Sequence, residues 1–297
     1  MEKEEFENYV KAGKILKEVQ ETARKKAKVG VKLLDLAESI EKQIINLKAG
    51  IAFPVNLSAN NFAAHYTPSF DDKTEITEKD LLKIDIGVHI EGFIADASFT
   101  VDFTEENGKL IEASEKALEN ALSMIKIGTE LGKIGEEIEK TITSFGFKPV
   151  NNLTGHGLMQ YMAHSSPAIP NISKNDSRTI EEGKAYAIEP FTSTGQGKVK
   201  EGAKTEIFEF AKAIPLRNLD ARKIQQKAIE EYNGLPFAER WLTKEFGETK
   251  TKIALRELLT KGSIKSHPIL KEDIGIMVSQ TEHTIVAFEG KIVITTK

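Results

Sequence analysis

Ile40-Glu41-Lys42-Gln43-Ile44 returns later in the chain as Ile138-Glu139-Lys140-Thr141-Ile142, and the surroundings of the two pentapeptides return with them. Counted from Gly30 and from Gly128, apolar residues fall at +3, +6, +10 and +14 in both places: Leu33, Leu36, Ile40 and Ile44, then Leu131, Ile134, Ile138 and Ile142. That is the spacing of an amphipathic helix. Each helix follows another helix-like stretch. The first carries Phe6, Tyr9, Val10, Leu16, Val19 and Ala23 and ends near Gly30; the second carries Leu110, Ala117, Leu118, Ala121, Leu122 and Ile125 and ends near Gly128. The later helices are expected to stop at Gly50 and Gly146. A loop comes next in each copy, Pro54-Val55-Asn56-Leu57-Ser58 answering Pro149-Val150-Asn151-Asn152-Leu153-Thr154, then a histidine and strand-like sequence. Amphipathic helices resemble one another whatever their origin, so apolar spacing alone leaves coincidence open. Helix, helix, loop, histidine and hairpin in one order twice points to two related α/β halves facing each other across a cleft, too few copies for a solenoid.

Composition bounds the rest. The 297 residues are enough for one large core or two ordinary ones, and 40% hydrophobic with 29% charged residues is ordinary for a globular chain. With 41 basic and 45 acidic residues the net charge is −4, so no global field draws the protein to nucleic acid or anionic lipid. There is no cysteine, which excludes disulfides, thiolate zinc sites, iron–sulfur clusters and cysteine nucleophiles; any metal is to be held by oxygen and imidazole. Met1-Glu2-Lys3-Glu4-Glu5-Phe6 lacks the character of a signal peptide, and no apolar run approaches the roughly 18 residues of a membrane span. A cytoplasmic address is expected.

Leu82, Ile84, Ile86, Val88 and Ile90 alternate with Lys83, Asp85, Gly87 and His89, the period of a strand with one buried face. Glu91-Gly92 supplies a turn and Phe93 to Val101 the returning strand. With a two-residue loop Gly87 faces Asp96, and Asp85 and Asp96 project on one side as diagonal neighbours, roughly 7 Å apart. Gly87 between them leaves room for something. A three-residue loop would reverse this parity, and a pair of solvent-facing acids on an exposed sheet is the competing reading. Further on, Glu189 lies in the apolar run Ala185 to Phe191, Glu282 on the incoming strand of a hairpin turning at Glu289-Gly290, and His156 between Gly155 and Gly157, where backbone can approach a ligand. Four carboxylates and one imidazole suit paired divalent ions better than a single structural zinc.

Phe53-Pro54-Val55-Asn56-Leu57-Ser58 with His65-Tyr66-Thr67-Pro68, Lys83 to Ile90 with Gly92-Phe93-Ile94-Ala95-Asp96, Gly155-His156-Gly157, Ala187-Ile188-Glu189-Pro190-Phe191 and Glu282-His283-Thr284 together resemble the type II methionine aminopeptidases, over essentially the whole chain and closest to the short archaeal form. The resemblance implies an α+β pita-bread fold of the creatinase/aminopeptidase kind, with two pseudo-symmetric α/β halves around an antiparallel sheet. It implies one catalytic domain over residues 1–297, halves of about 1–102 and 103–297, and a helical insertion at 193–273, with helices over Asp220 to Tyr232, Pro236 to Phe246 and Lys250 to Leu259. It also implies a dinuclear metallohydrolase that removes the initiator methionine when the second residue is small, by attack of a metal-bridged hydroxide on the scissile carbonyl. Asp85 would chelate one metal, Asp96 and Glu282 would bridge both, and His156 and Glu189 would bind the other, with Glu189 also carrying a proton.

By the same resemblance His164 lies near the scissile carbonyl, His65 on the leaving side, and Phe53 walls the pocket for the methionine side chain. His267 stands where many type II members carry tyrosine at the pocket mouth, and Ser165-Ser166 replaces the usual Ala-Gly after His164. The cofactors implied are two divalent ions, cobalt, manganese, iron or zinc, which the ligand set does not separate. The partners implied are N-terminal methionine in peptides and nascent chains, with transient ribosome contact, no membrane, no specific nucleic acid, and a monomeric state. The competing functions are an X-Pro dipeptidase or aminopeptidase P on the same fold, and a pita-bread protein that binds without catalysis.

Overall fold

The recurrent +3, +6, +10, +14 residues are the ones the fold buries: Leu33, Leu36, Ile40, Ile44, Leu131, Ile134, Ile138 and Ile142 are each no more than 2% exposed. The computed structural model describes all 297 residues. The first half contains α1 (Lys3–Lys26), α2 (Leu33–Asn46), β1 (Gly50–Ala59), β2 (Phe62–Ala64), β3 (Leu81–Ile90) and β4 (Phe93–Asp102). The second begins with α3 (Gly108–Met124), α4 (Leu131–Ser144), β5 (Lys148–Pro149), β6 (Thr154–Met159), β7 (Met162–Pro170), β8 (Ala185–Ile188) and β9 (Phe191–Ser193). It continues through β10 (Lys200–Phe210), α5 (Leu219–Glu230), β11 (Phe237–Ala238), α6 (Glu239–Phe246), α7 (Glu248–Thr260), β12 (Ile264–Lys271), β13 (Val278–Gln280), β14 (His283–Phe288) and β15 (Lys291–Ile294).

The two helix pairs are joined in the same way. Gly30 and Gly128 both take left-handed backbone (φ 85° and 87°), and their N–H groups donate to Ile76 O and Ile180 O at 2.8 Å each. Three residues further in each copy, Leu33 N–H donates to Thr74 O and Leu131 N–H to Arg178 O. The pseudo-symmetry therefore extends to segments with no visible sequence similarity. Two details differ from expectation. α2 ends at Asn46, and Lys48 after it takes the left-handed role (φ 59°) that Gly146 (φ 85°) takes after α4, while Gly50 opens β1 instead of stopping the helix. Pro54 to Ser58 is not a loop but part of β1, and its proline is tolerated because the register against β3 shifts between Phe53 and Asn56.

All strand pairs are antiparallel, and they form four hydrogen-bonded ladders instead of one sheet: β1-β3-β4, β11-β10-β12-β2, β13-β9-β5 and β15-β14-β8-β6-β7. α1 and α2 cover one face of the first ladder over a core of 23 buried residues; α3 and α4 cover the corresponding face of the second half. Residues 193–273, expected to be helical, carry three helices and also β10, β11 and β12. The strand character of β10 is hidden in the sequence because only Glu206, Ile207 and Phe208 of its eleven residues are buried, so no apolar alternation develops. The segment Pro236-Phe237-Ala238, read as helix, is the entry to and body of β11. No helix is long and apolar enough to cross a membrane.

Candidate metal centre and substrate pocket

The β3–β4 turn has Glu91 and Gly92 both at positive φ (48° and 84°), the two-residue arrangement whose twist matches a hairpin. It fixes Ile90 opposite Phe93, Gly87 opposite Asp96 and Asp85 opposite Ser98, so both acids leave the same face. Glu289-Gly290 repeats this geometry (φ 50° and 74°) between β14 and β15. Glu282, however, is not on a strand: it occupies the break between β13 and β14, as Glu189 occupies the break between β8 and β9. Pro190 cannot donate to a ladder, and its carbonyl accepts from Thr281 N–H at 3.3 Å, so the two breaks meet. Glu282 N–H instead donates to Ser98 O (3.1 Å), and the Thr284 hydroxyl donates to Asp96 O while accepting from Asp96 N–H, both at 2.8 Å. These bonds sew the second half to β4 beside Asp96.

The result is a convergence of acids with few donors. His156 Nε2 lies 3.4 Å from Glu189 Oε1 and 3.8 Å from Asp96 Oδ2, and one ligand atom each from Asp96, His156 and Glu282 lies within 4.8 Å of the others. Gln280 Nε2 donates to Glu189 Oε2 at 3.3 Å and to Glu282 Oε2 at 3.4 Å, a role that the sequence reading missed although Gln280 stands two residues before Glu282. Oδ1 of Asp85 and Oδ1 of Asp96 are buried with no partner at all. Burial pushes the Asp85 carboxyl up to about 7, and burial followed by mutual repulsion raises Asp96, Glu189 and Glu282 as well. His156 is pushed down to about 4 by burial. Its Nδ1 faces Gly157 O at 3.2 Å, and since a carbonyl only accepts, Nδ1 carries the proton and Nε2 presents its lone pair to the acids. Unpartnered carboxylate oxygens around a neutral imidazole fit a divalent cation.

Cation uptake at this centre is expected to release protons, because carboxyls with raised pKa must ionise while His156 is already neutral. Apparent Mn²⁺ affinity of the metal-free protein should fall steeply as pH drops below about 7. Calorimetric titration in two buffers of different ionisation enthalpy measures this, and a pH-independent affinity would contradict the assignment.

Above the acids opens a cavity of about 230 Å³ that also reaches Phe53, His65, His164 and His267. The structure thus brings every sequence-predicted site residue to one place. His156 and His164 have ring centroids 4.6 Å apart, and His65, His164 and His267 lie 5.6–6.5 Å from one another. His65 adopts left-handed backbone (φ 64°), an uncommon conformation for a non-glycine residue. Its Nδ1 donates to Pro268 O at 3.2 Å, leaving Nε2 as an acceptor, and burial, then His267, pushes its pKa down to about 4. His164 is exposed toward the cavity yet surrounded by protein on its other sides; that enclosure and the neighbouring imidazoles lower its pKa. His267 Nε2 meets Glu209 Oε2 at 2.8 Å.

Two expectations about glycine are corrected. The room beside Gly87 holds no ligand: a Cβ there would lie 2.3 Å from Cε1 of Phe53, whose ring fills it. The glycines around His156 admit neighbouring backbone, since a Cβ on Gly155 would lie 2.3 Å from Ala187 O and one on Gly157 would lie 2.6 Å from Ser166 O. Asn56 and the apolar walls Ile207, Pro236 and Leu270 also line the cavity and were not legible beforehand, because three of them come from the segment read as a separate helical insertion.

Comparison with known proteins agrees with this geometry. Residues 7–210 match the profile described as Metallopeptidase family M24. The chain is 45% identical over 294 residues to the methionine aminopeptidase of Pyrococcus abyssi, covering 99% of this chain and 100% of that one. Among solved structures it resembles a thermophilic Arx1 (TM-score 0.88, 19% identity, 99% of this chain and 91% of that one). It also resembles a methionine aminopeptidase of Thermotoga maritima (TM-score 0.72, 23% identity, 100% and 98%), and these two likenesses establish the pita-bread fold. Together with the full-length archaeal similarity, the carboxylate–imidazole centre has one consistent assignment: the chain belongs to metallopeptidase family M24, and within it to the methionine aminopeptidases.

Proposed function

We propose that this protein hydrolyses the first peptide bond of chains that begin with methionine and carry a small second residue, using two divalent ions. The observation that carries the reading is the siting of four acids and a neutral histidine at the foot of a cavity of about 230 Å³ walled by Phe53. Ligand pockets commonly span roughly 300–1,000 Å³, so this one suits a single side chain and its backbone, not a long stretch of peptide.

Asp85 would hold one ion, Asp96 and Glu282 both, and His156 and Glu189 the other. When bound, such ions lower the pKa of water and polarise the scissile carbonyl. Glu189, with its carboxyl raised by burial and then by Asp85, is suited to take a proton and pass it to the leaving amine. His65, with Nδ1–H committed to Pro268 O, offers Nε2 to the N–H of the scissile amide. No side chain engages His164 in a hydrogen bond, so its neutral ring is free to donate to the carbonyl oxygen as charge develops there. The ring of Phe53, fixed in the gap that Gly87 leaves, presents an aromatic face to the thioether.

Incubation of Co²⁺- or Mn²⁺-loaded protein with Met-Ala-Ser and Ala-Pro separates the readings. Release of methionine from the first is the expected result. Cleavage of Ala-Pro alone would favour an X-Pro peptidase, and inertness with every metal would favour a binding protein.

A further inference from the structure

Arg240 is fully buried, and its guanidinium reaches two segments that lie far from it in sequence, at Glu41 and at Thr67-Pro68. Nη2 is paired with Glu41 Oε1, while Nη1 donates to Thr67 Oγ1 at 2.5 Å and to Pro68 O at 3.2 Å. Glu41 Oε1 also accepts from Val55 N–H at 3.3 Å, and its Oε2 accepts from Trp241 Nε1 at 2.9 Å. An arginine only donates, so the Thr67 hydroxyl turns its own proton to Val55 O, at 2.7 Å. Both main-chain groups of Val55 are therefore satisfied by this network.

Val55 lies between Phe53 and Asn56, where the β1–β3 register shifts, so the ladder does not set the position of the pocket wall at that point. Thr67 and Pro68 follow His65, whose left-handed backbone persists only if its surroundings impose it. Arg240 itself follows β11 and Pro236, a third lining residue. A buried pair of this kind contributes little stability of its own, and Nε of Arg240 has no partner, so the retention of the charges calls for another reason.

We propose that Arg240 and Glu41 are positioning residues for the pocket, their ion pair fixing Phe53, His65 and Pro236 relative to one another and thereby the discrimination among first-residue side chains. This rests on the reading of the cavity as a methionine site. Arg240→Lys keeps the charge and loses the planar fork; Glu41→Gln keeps the shape and loses the charge. Since a lone buried charge can unfold a protein, the paired replacement Glu41→Leu with Arg240→Met is measured beside them. Far-ultraviolet circular dichroism and the melting temperature report whether the fold is kept, because Trp241, the one tryptophan, loses its own partner when Glu41 is replaced.

The readout is the ratio of kcat/KM for Met-Ala-Ser to that for Leu-Ala-Ser, which the fraction of folded enzyme does not affect. A merely structural pair would lower both values together. The expected result is at least a fivefold fall in that ratio and a raised KM for Met-Ala-Ser, with Mn²⁺ uptake by the metal-free variants as in wild type. An unchanged ratio in a folded variant overturns the positioning role, and so does a change that tracks weakened metal uptake. Wild-type protein that releases no methionine removes the ground for the functional reading and, with it, this one; wild-type release with an unchanged ratio overturns this one alone.

Discussion

Asp96→Ala is expected to lower kcat/KM for Met-Ala-Ser by at least about a thousand-fold, ~4 kcal/mol of barrier. Asp96 is 3% exposed, its Oδ2 faces His156 Nε2 at 3.8 Å and its Oδ1 has no protein partner, so its side chain ties it to no element outside the cluster of acids and imidazole. Its main chain is held through Thr284 in any case. The same substitution, or Asp96→Asn, should raise the melting temperature of the metal-free protein. The sign follows from the direction of the shift: burial, then Asp85 and Glu189, raise the Asp96 pKa on folding. The folded state thus holds a proton that the unfolded chain gives up above about pH 4, and stability drains away as pH rises through the folded pKa. Removing the carboxyl removes that loss. A variant that keeps full turnover would refute the metal-bridging role, and a metal-free variant less stable than wild type at pH 8 would refute the raised Asp96 pKa.

Gly155→Ala should cost about 1–3 kcal/mol of stability, the usual penalty of overpacking, and weaken metal binding by about 10–100-fold. The added methyl would sit 2.3 Å from Ala187 O, and Ala187 is the register partner of His156. Main chain cannot step aside as a flexible side chain can, so β6 and β8 must part, carrying His156 away from Glu189, now 3.4 Å distant. Thermal melts with and without Mn²⁺ measure both effects. Gly108→Ala is the control: nothing lies within 4 Å of the Cβ it would add, and its φ is not positive, so neutral or slightly stabilising behaviour is expected.

Much of the centre was legible because hairpin parity is a local rule. Once Glu91-Gly92 was taken as a two-residue turn, Asp85 and Asp96 had to share a face, and the observed pairs agree one by one. The helix pairs were legible for the same reason, a short period repeated. What failed was non-local. β10 and β12 lie in the segment taken as helical, yet they carry the apolar side of the pocket and pair through Leu270 with Ala64 of the first half. Their mixed charges conceal this, since one strand face meets solvent. Glu41 was likewise hidden inside the repeat. Its counterpart Glu139 remains half-buried and accepts a hydrogen bond from Ser173 N–H, whereas Glu41 is 7% exposed and faces Arg240, which lies 199 positions away. No period in the sequence announces such a partner.

Glu282 is anchored to Ser98 across the seam between the halves, and this has a bearing on how the protein comes into being. Asp85 and Asp96 leave the ribosome well before Glu282, which follows Asp96 by 186 positions. Until Glu282 has been made, the emerging polypeptide lacks one carboxylate of the set, so the cluster cannot assemble on the first half alone.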